Sequence, residues 1–168
     1  PVLVALKHES MFEAVDITCL IGNPGIVVKA ELIAIPLWGK AGLIYGFIPV
    51  DREGGAKSLR TMMGQAKAAV AENRKLAIFP EGTRVAVGEA PELKSGFAGL
   101  YKLLALPVVP VAVQAGHVFP PRAFIKFPGT VRYRIMPTIP PKLPREEIEA
   151  RVGEAINALN RLEDGANG

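Results

Sequence analysis

Cysteine is nearly missing: Cys19 is the only one in 168 residues. A lone thiol excludes an internal disulfide and the usual cysteine-rich zinc cluster, and it fits a reducing compartment. Acidic residues are the minority charge, 16 against 20 Lys and Arg, for a net +4. The resulting pI of about 9.4 suits work beside something negative, such as anionic lipid, phosphate or an acidic carrier, although a charge of this size is also ordinary for solubility. Repeats, low-complexity tracts and linkers are absent, so residues 1–168 read as one domain with one core. No signal-peptide pattern is present. An uninterrupted membrane-length run is absent as well. The most apolar stretch, Leu32 to Val50, has Lys40 as its sole charge, but Pro36, Gly39, Gly42, Gly46 and Pro49 break a continuous helix. It reads as a helix-turn-strand with one face in the core and the other on a bilayer surface. The chain starts at Pro1 and enters a strand-like run at once. The expectation is that a preceding segment, including any N-terminal membrane-associating one, has been removed.

What is present is an alternation. Short β-branched apolar runs recur at Val2–Leu6, Ile26–Val28, Tyr45–Val50, Leu76–Phe79 and Val108–Val113. Helical spacing fills the gaps at Met11–Leu20, Ala56–Val70 and Phe97–Leu104. The pattern predicts an α/β fold, a single mixed, largely parallel sheet flanked by helices. Val131, Tyr133 and Ile135 alternate with Arg132, Arg134 and Met136, which marks an antiparallel finish with one wet face. Ile148, Val152, Ile156 and Leu159 form the core stripe of a closing helix that Pro144 introduces.

Four segments carry candidate chemistry. In Lys7-His8-Glu9-Ser10-Met11-Phe12-Glu13 a strand ends and a helix begins. Glu13 there can hold one ring N–H of His8 and leave the other nitrogen to accept a proton from an alcohol. The same spacing also fits a capping box, with Ser10 as the cap and Glu13 at the third helical position. Asp16 is a poor substitute, since eight residues of helix place it roughly 12 Å along the axis from His8. Arg52 follows the strand Phe47–Val50 and offers a planar fork to a phosphate, although taken alone a surface pair with Asp51 explains it better. Phe79-Pro80-Glu81-Gly82-Thr83-Arg84 follows another strand. Its Pro and Gly bend the backbone so that Glu81, the Gly82 amide, Thr83 and Arg84 can converge at the end of the sheet, where ligands of open α/β sheets bind. Leu106 to Val113 carries Pro107 and Pro110, which point to an edge strand or a bulge. His117, after a glycine in a loop-like stretch, reads as an ordinary histidine.

In this order the four segments resemble the 1-acyl-glycerol-3-phosphate (lysophosphatidic acid) acyltransferase family, within the His-x4-Asp glycerolipid acyltransferases. The Phe-Pro-Glu-Gly-Thr-Arg block at 79–84 is the most specific part, and Lys94-Ser95-Gly96 looks like the family's Lys-x-Gly segment. The resemblance implies an acyltransferase catalytic domain acting on the sn-2 hydroxyl of lysophosphatidic acid to give phosphatidic acid. His8 would be the general base and Glu13 its partner. Arg52, Glu81, Gly82, Thr83 and Arg84 would form the glycerol-phosphate site, and Val108 to Val111 would help shape the acyl-chain or carrier site. It further implies an acyl-CoA or acyl carrier protein donor, no metal or other cofactor, a membrane phospholipid partner, no nucleic acid, and a place on the cytoplasmic face of the inner or plasma membrane if bacterial. The chain departs from the pattern at Glu13, where the family usually has Asp; a carboxylate one methylene longer must fold back or shift to keep the same hydrogen bond. Readings held against this one are a different acceptor (glycerol-3-phosphate, a larger lysophospholipid or a lyso-aminolipid), a non-catalytic lipid-binding domain, and a hydrolase using Ser10, which lacks a nucleophile elbow.

Overall fold

In the structure, a computed structural model, residues 1–51, 54–121 and 123–160 are described. The strands are β1 (Leu3–Leu6), β2 (Gly25–Lys29), β3 (Phe47–Val50), β4 (Leu76–Ile78), β5 (Val108–Gln114) and β6 (Arg132–Ile135). The helices are α1 (Phe12–Ile21), α2 (Trp38–Tyr45), α3 (Gly55–Ala71), α4 (Ser95–Leu104) and α5 (Arg145–Ile156), with a 3-10 turn at Ala30–Ala34. One six-stranded sheet runs in the order β3-β2-β4-β1-β5-β6. Every pairing is parallel except β5 with β6. The α/β expectation of a mixed, largely parallel sheet therefore holds, down to the antiparallel last strand.

All four residues of β1 are buried, as a central parallel strand covered on both faces requires. On one face Leu3, Ala5 and Leu76 meet α3, α4 and α5 through Met62, Ala66, Phe97, Leu100, Ile148, Val152 and Ile156. On the other, Val4, Leu6, Ile26 and Val111 meet Ile17 of α1. The chain leaves β1 for α1 on the second face and leaves β4 for α4 on the first. Since β1 and β4 are neighbours, their connections diverge to opposite faces. That divergence opens a crevice at the C-terminal ends of these strands, the topological switch point of the sheet.

Two sequence expectations are corrected. Gly39 and Gly42 do not break a helix, because both lie on the buried face of α2. A Cβ at Gly39 would sit 1.9 Å from the Ile33 carbonyl oxygen, and one at Gly42 2.2 Å from the Phe47 ring, so these glycines let the helix approach its neighbours. The termini are set instead by Pro36 before α2 and by Gly46, whose φ of 121° no L side chain adopts readily. Among the described residues no helix is long and apolar enough to cross a membrane.

The second correction concerns β5: of the edge strand or bulge expected, the edge is overturned, since β5 lies between β1 and β6, and the bulge is found, two residues of β5 facing three of the partner segment. Pro110 is accommodated because the pairing with β6 is interrupted beside it. Its carbonyl accepts from Met136 N–H at 2.9 Å, and contact resumes only at the Val108–Ile139 bridge. Pro49 does lie on the edge strand, β3, where a missing donor costs nothing.

Candidate active site

His8 sits in the turn just past β1, its ring stacked on Phe79 with centroids 4.1 Å apart. Its Nδ1 lies 2.9 Å from Glu13 Oε1. The same oxygen accepts the backbone N–H groups of Glu9 and Ser10 at 2.6 Å each, while Oε2 accepts the Ser10 hydroxyl at 2.6 Å. Ser10 Oγ in turn accepts the Phe12 N–H at 2.9 Å. The His8–Glu13 contact is present, while of the capping box only the Ser10 N–H to Glu13 bond is found: one carboxylate closes the turn before α1 and grips the imidazole. The helix cap position itself falls on Met11, with no side-chain bond. Burial would raise the Glu13 pKa, but the hydrogen bonds from His8 and Ser10 outweigh it and hold the carboxyl below its ordinary value. An ionised carboxylate only accepts, so Nδ1 carries the proton and the neutral ring keeps its lone pair on Nε2, the edge turned away from Glu13.

That ring lines a cavity of about 550 Å³. Val27, Phe47, Leu59, Met62, Ile78 and Phe97 supply apolar wall; Lys29, Asp51, Thr83, Arg84, Lys94 and Ser95 supply polar groups. Gly82 lines it as well, with φ at +72° turning the backbone after β4. His8, Gly82, Thr83, Arg84 and Lys94-Ser95-Gly96 are therefore brought together. Arg52 lies outside the described residues; its neighbour Asp51 lines the cavity.

Glu81 does not join them. Its side chain turns into the protein, where Oε2 accepts the His8 backbone N–H at 2.9 Å and Oε1 lies 3.2 Å from Lys7 Nζ. The ammonium directs its hydrogen bonds to the Glu89 carbonyl and, at 2.5 Å, to Asn157 Oδ1, which leaves Glu81 Oε1 with an ion pair and no hydrogen bond. Burial pushes the Glu81 carboxyl up to about 7, against the pull of Lys7 and of the His8 N–H. The substrate contact expected for Glu81 is replaced by a structural one, because the turn at Pro80–Gly82 points its side chain beneath His8. Val108 to Val111 likewise lie within the sheet and not along the cavity, which opens on the β2, β3 and β4 half.

Sequence reasoning passed over Lys7 and Glu9, both essentially fully buried. Glu9 Oε2 accepts the N–H groups of Ala115 and Gly116, each at 2.9 Å, and so pins the loop after β5. Period-2 alternation signals Lys7, which shares the inward face of Leu3 and Ala5; nothing in the local pattern signals Glu9.

The sequence model of the Acyltransferase family matches residues 1–114. The chain is 30% identical to the 1-acyl-sn-glycerol-3-phosphate acyltransferase of Pseudomonas aeruginosa over 83% of its own length and 54% of that protein's. It is 33% identical to the enzyme of the same name from Limnanthes alba, over 82% of this chain and 47% of the relative. The chain thus spans about half the length of these curated relatives. The crystal structure of the 1-acyl-sn-glycerophosphate (LPA) acyltransferase PlsC from Thermotoga maritima shares the fold, with a TM-score of 0.80 and 20% identity over 99% of this chain and 68% of that one. With its His-carboxylate turn and its Phe-Pro-Glu-Gly-Thr-Arg turn side by side at the switch point of such a sheet, this chain belongs to the Acyltransferase family.

Proposed function

We propose that this domain transfers an acyl group from an acyl thioester to the sn-2 hydroxyl of lysophosphatidic acid, giving phosphatidic acid. The observation that carries the reading is the pairing of His8 Nδ1 with Glu13 at 2.9 Å on a ring that shares its cavity with Arg84. In the reaction Nε2 takes the proton as the acceptor oxygen attacks the thioester carbonyl. Collapse of the tetrahedral intermediate forms the ester, breaks the carbon–sulfur bond, and returns the proton from the imidazolium to the departing thiolate. Glu13 keeps the tautomer and offsets the ring's transient positive charge. No acyl-enzyme is needed. Arg84 holds the phosphate together with Arg52, which follows β3 in sequence; the Gly82 backbone and Thr83 border the glycerol. The apolar wall suits an acyl chain.

The names carried by the relatives support this acceptor, and a largely apolar cavity that also holds Lys29, Arg84 and Lys94 supports a lipid with a phosphate head. The donor is acyl-CoA or acyl carrier protein. The membrane surface that holds the lipid is the working partner, on the cytoplasmic face of the inner or plasma membrane if the protein is bacterial. The test offers purified protein a labelled acyl thioester with lysophosphatidic acid, glycerol-3-phosphate or a larger lysophospholipid. Preferred labelling of lysophosphatidic acid, lost about 10²- to 10⁴-fold in His8→Ala, is the expected result. Equal use of all three acceptors, or transfer indifferent to that substitution, would overturn it.

A further inference from the structure

Between Glu92 and Glu146 the chain holds eight Lys or Arg and no Asp or Glu. The domain's whole positive balance therefore lies in that stretch, and the rest of the chain is net negative. Within it, the connection from β5 to β6 exposes an apolar tip: Phe124 is 101% exposed, Ile125 67% and Phe127 52%. The tip has a built base. Val118 is buried, and its carbonyl accepts the Phe127 N–H at 2.9 Å. Lys126 Nζ donates to the Ala123 carbonyl at 2.7 Å and stands 5.9 Å from the Phe119 ring. Phe119 stacks on Phe12 with centroids 4.8 Å apart, next in sequence to Met11, which lines the cavity. Because β1 and β5 are parallel, this tip and His8 emerge at the same end of the sheet.

We propose that residues 123–127 seat the domain on an anionic phospholipid bilayer, with Phe124 and Ile125 entering the interfacial region and Lys126 meeting lipid phosphate. This deepens the proposed function, since it rests on a membrane-lipid acceptor and names the surface that presents it. Large apolar side chains left fully in water mark a contact surface. A lysine between Ile125 and Phe127 disfavours the core of a protein–protein interface, where Lys is depleted, and fits an interface of acyl chain and headgroup. Charge complementarity comes from Lys126 in the tip itself and from Arg132 at the same end of the sheet, bonded to Gln114 at 3.1 Å. The rival surface is the exposed Ile44 of α2, in the Leu32–Val50 stretch whose sequence alone suggests a bilayer face; the cation beside it, Arg74, is tied to the Pro24 and Tyr45 carbonyls.

The experiment is cosedimentation of the chain with phosphatidylcholine vesicles, with and without phosphatidylglycerol. The expected result is binding to the anionic vesicles, weakened about tenfold by Phe124→Ser/Ile125→Ser together, weakened on anionic vesicles by Lys126→Glu, and unaffected by Ile44→Ser. Acyl transfer to a monomeric short-chain lysophosphatidic acid stays at the wild-type rate in the Phe124/Ile125 variant, while transfer to vesicle-borne acceptor falls. Absence of vesicle binding, binding indifferent to the Phe124/Ile125 change, or loss caused instead by Ile44→Ser overturns the assignment. So does equal loss on the monomeric acceptor, which would place the loop's role in the cavity. If loop-dependent binding persists while wild-type protein acylates neither acceptor, the proposed function fails and the docking surface stands.

Discussion

Two turns at the ends of neighbouring strands each bury a carboxylate against His8, and their surroundings drive them apart. Glu13, in the first turn of α1 and reaching back to the turn after β1, receives four hydrogen bonds, two of them from backbone N–H groups. Its charge is stabilised despite full burial. Glu81, in the turn after β4, receives one hydrogen bond and one ion pair, which do not offset its desolvation, and its carboxyl is pushed up to about 7. Both approach the same residue, Glu13 through the ring and Glu81 through the backbone. What separates a partner of the base from a brace beneath it is the number of donors and the atom touched.

The sharpest way to break that comparison is to truncate each carboxylate in turn. Glu13→Ala should lower kcat about 100-fold or more, because it removes both the tautomer control and the partner of the imidazolium. The same change strands buried donors and costs roughly 2–4 kcal/mol of stability. Glu81→Gln should leave kcat within a few-fold, since the amide oxygen still accepts the His8 N–H. Steady-state kinetics and urea denaturation of the two variants side by side decide the matter; matching losses of kcat would erase the distinction.

Arg84→Ala probes the cavity rather than its brace. A charge-assisted hydrogen bond contributes about 1.5–3 kcal/mol, so KM for a phosphate-bearing acceptor should rise roughly 10- to 100-fold, with kcat less affected. A fall in kcat at constant KM would instead put Arg84 at the reacting atoms.

The smallest effect is a pH slope. A carboxyl whose folded pKa of about 7 exceeds its ordinary 4.5 binds more proton folded than unfolded. Its contribution to stability is then fully present below about 4.5 and declines as pH rises through about 7, by at most about 1.4 kcal/mol per pH unit. Glu81→Gln should flatten that decline in denaturation curves taken across the window. Glu13 has the opposite sign: its depressed pKa gives stability that is present above its ordinary value and lost as pH falls through the folded one. A wild-type slope unchanged by Glu81→Gln would show that Lys7 keeps Glu81 ionised throughout.

Much of this was legible in the chain. The alternation of β-branched runs with helical spacing predicts the sheet and its antiparallel last strand, and the five-residue interval from His8 to Glu13 predicts their contact because a strand end and a first helical turn leave little freedom. The added methylene of Glu13 still leaves its carboxylate 2.9 Å from His8 Nδ1, folded back over the Glu9 and Ser10 amides. Less legible were the direction of Glu81, the burial of Lys7 and the interior place of β5. A turn's sequence fixes that the backbone bends, while the side its side chains face depends on which neighbours offer charge and donors. Glu81 is drawn inward by Lys7, 74 positions away in the chain and adjacent only because β1 and β4 pair.

By itself, the order of residues determined which segments are strands and helices, that His8 has a carboxylate partner five positions on, and that a Pro-Glu-Gly turn follows a strand. These are local consequences of period, propensity and spacing. Only the tertiary structure decided that the turns after β1 and β4 lie side by side, that Arg84 rather than Glu81 shares the cavity with His8, and that Phe124 faces outward at that same end. Those relations come from parallel pairing of strands distant in sequence, which no local pattern encodes.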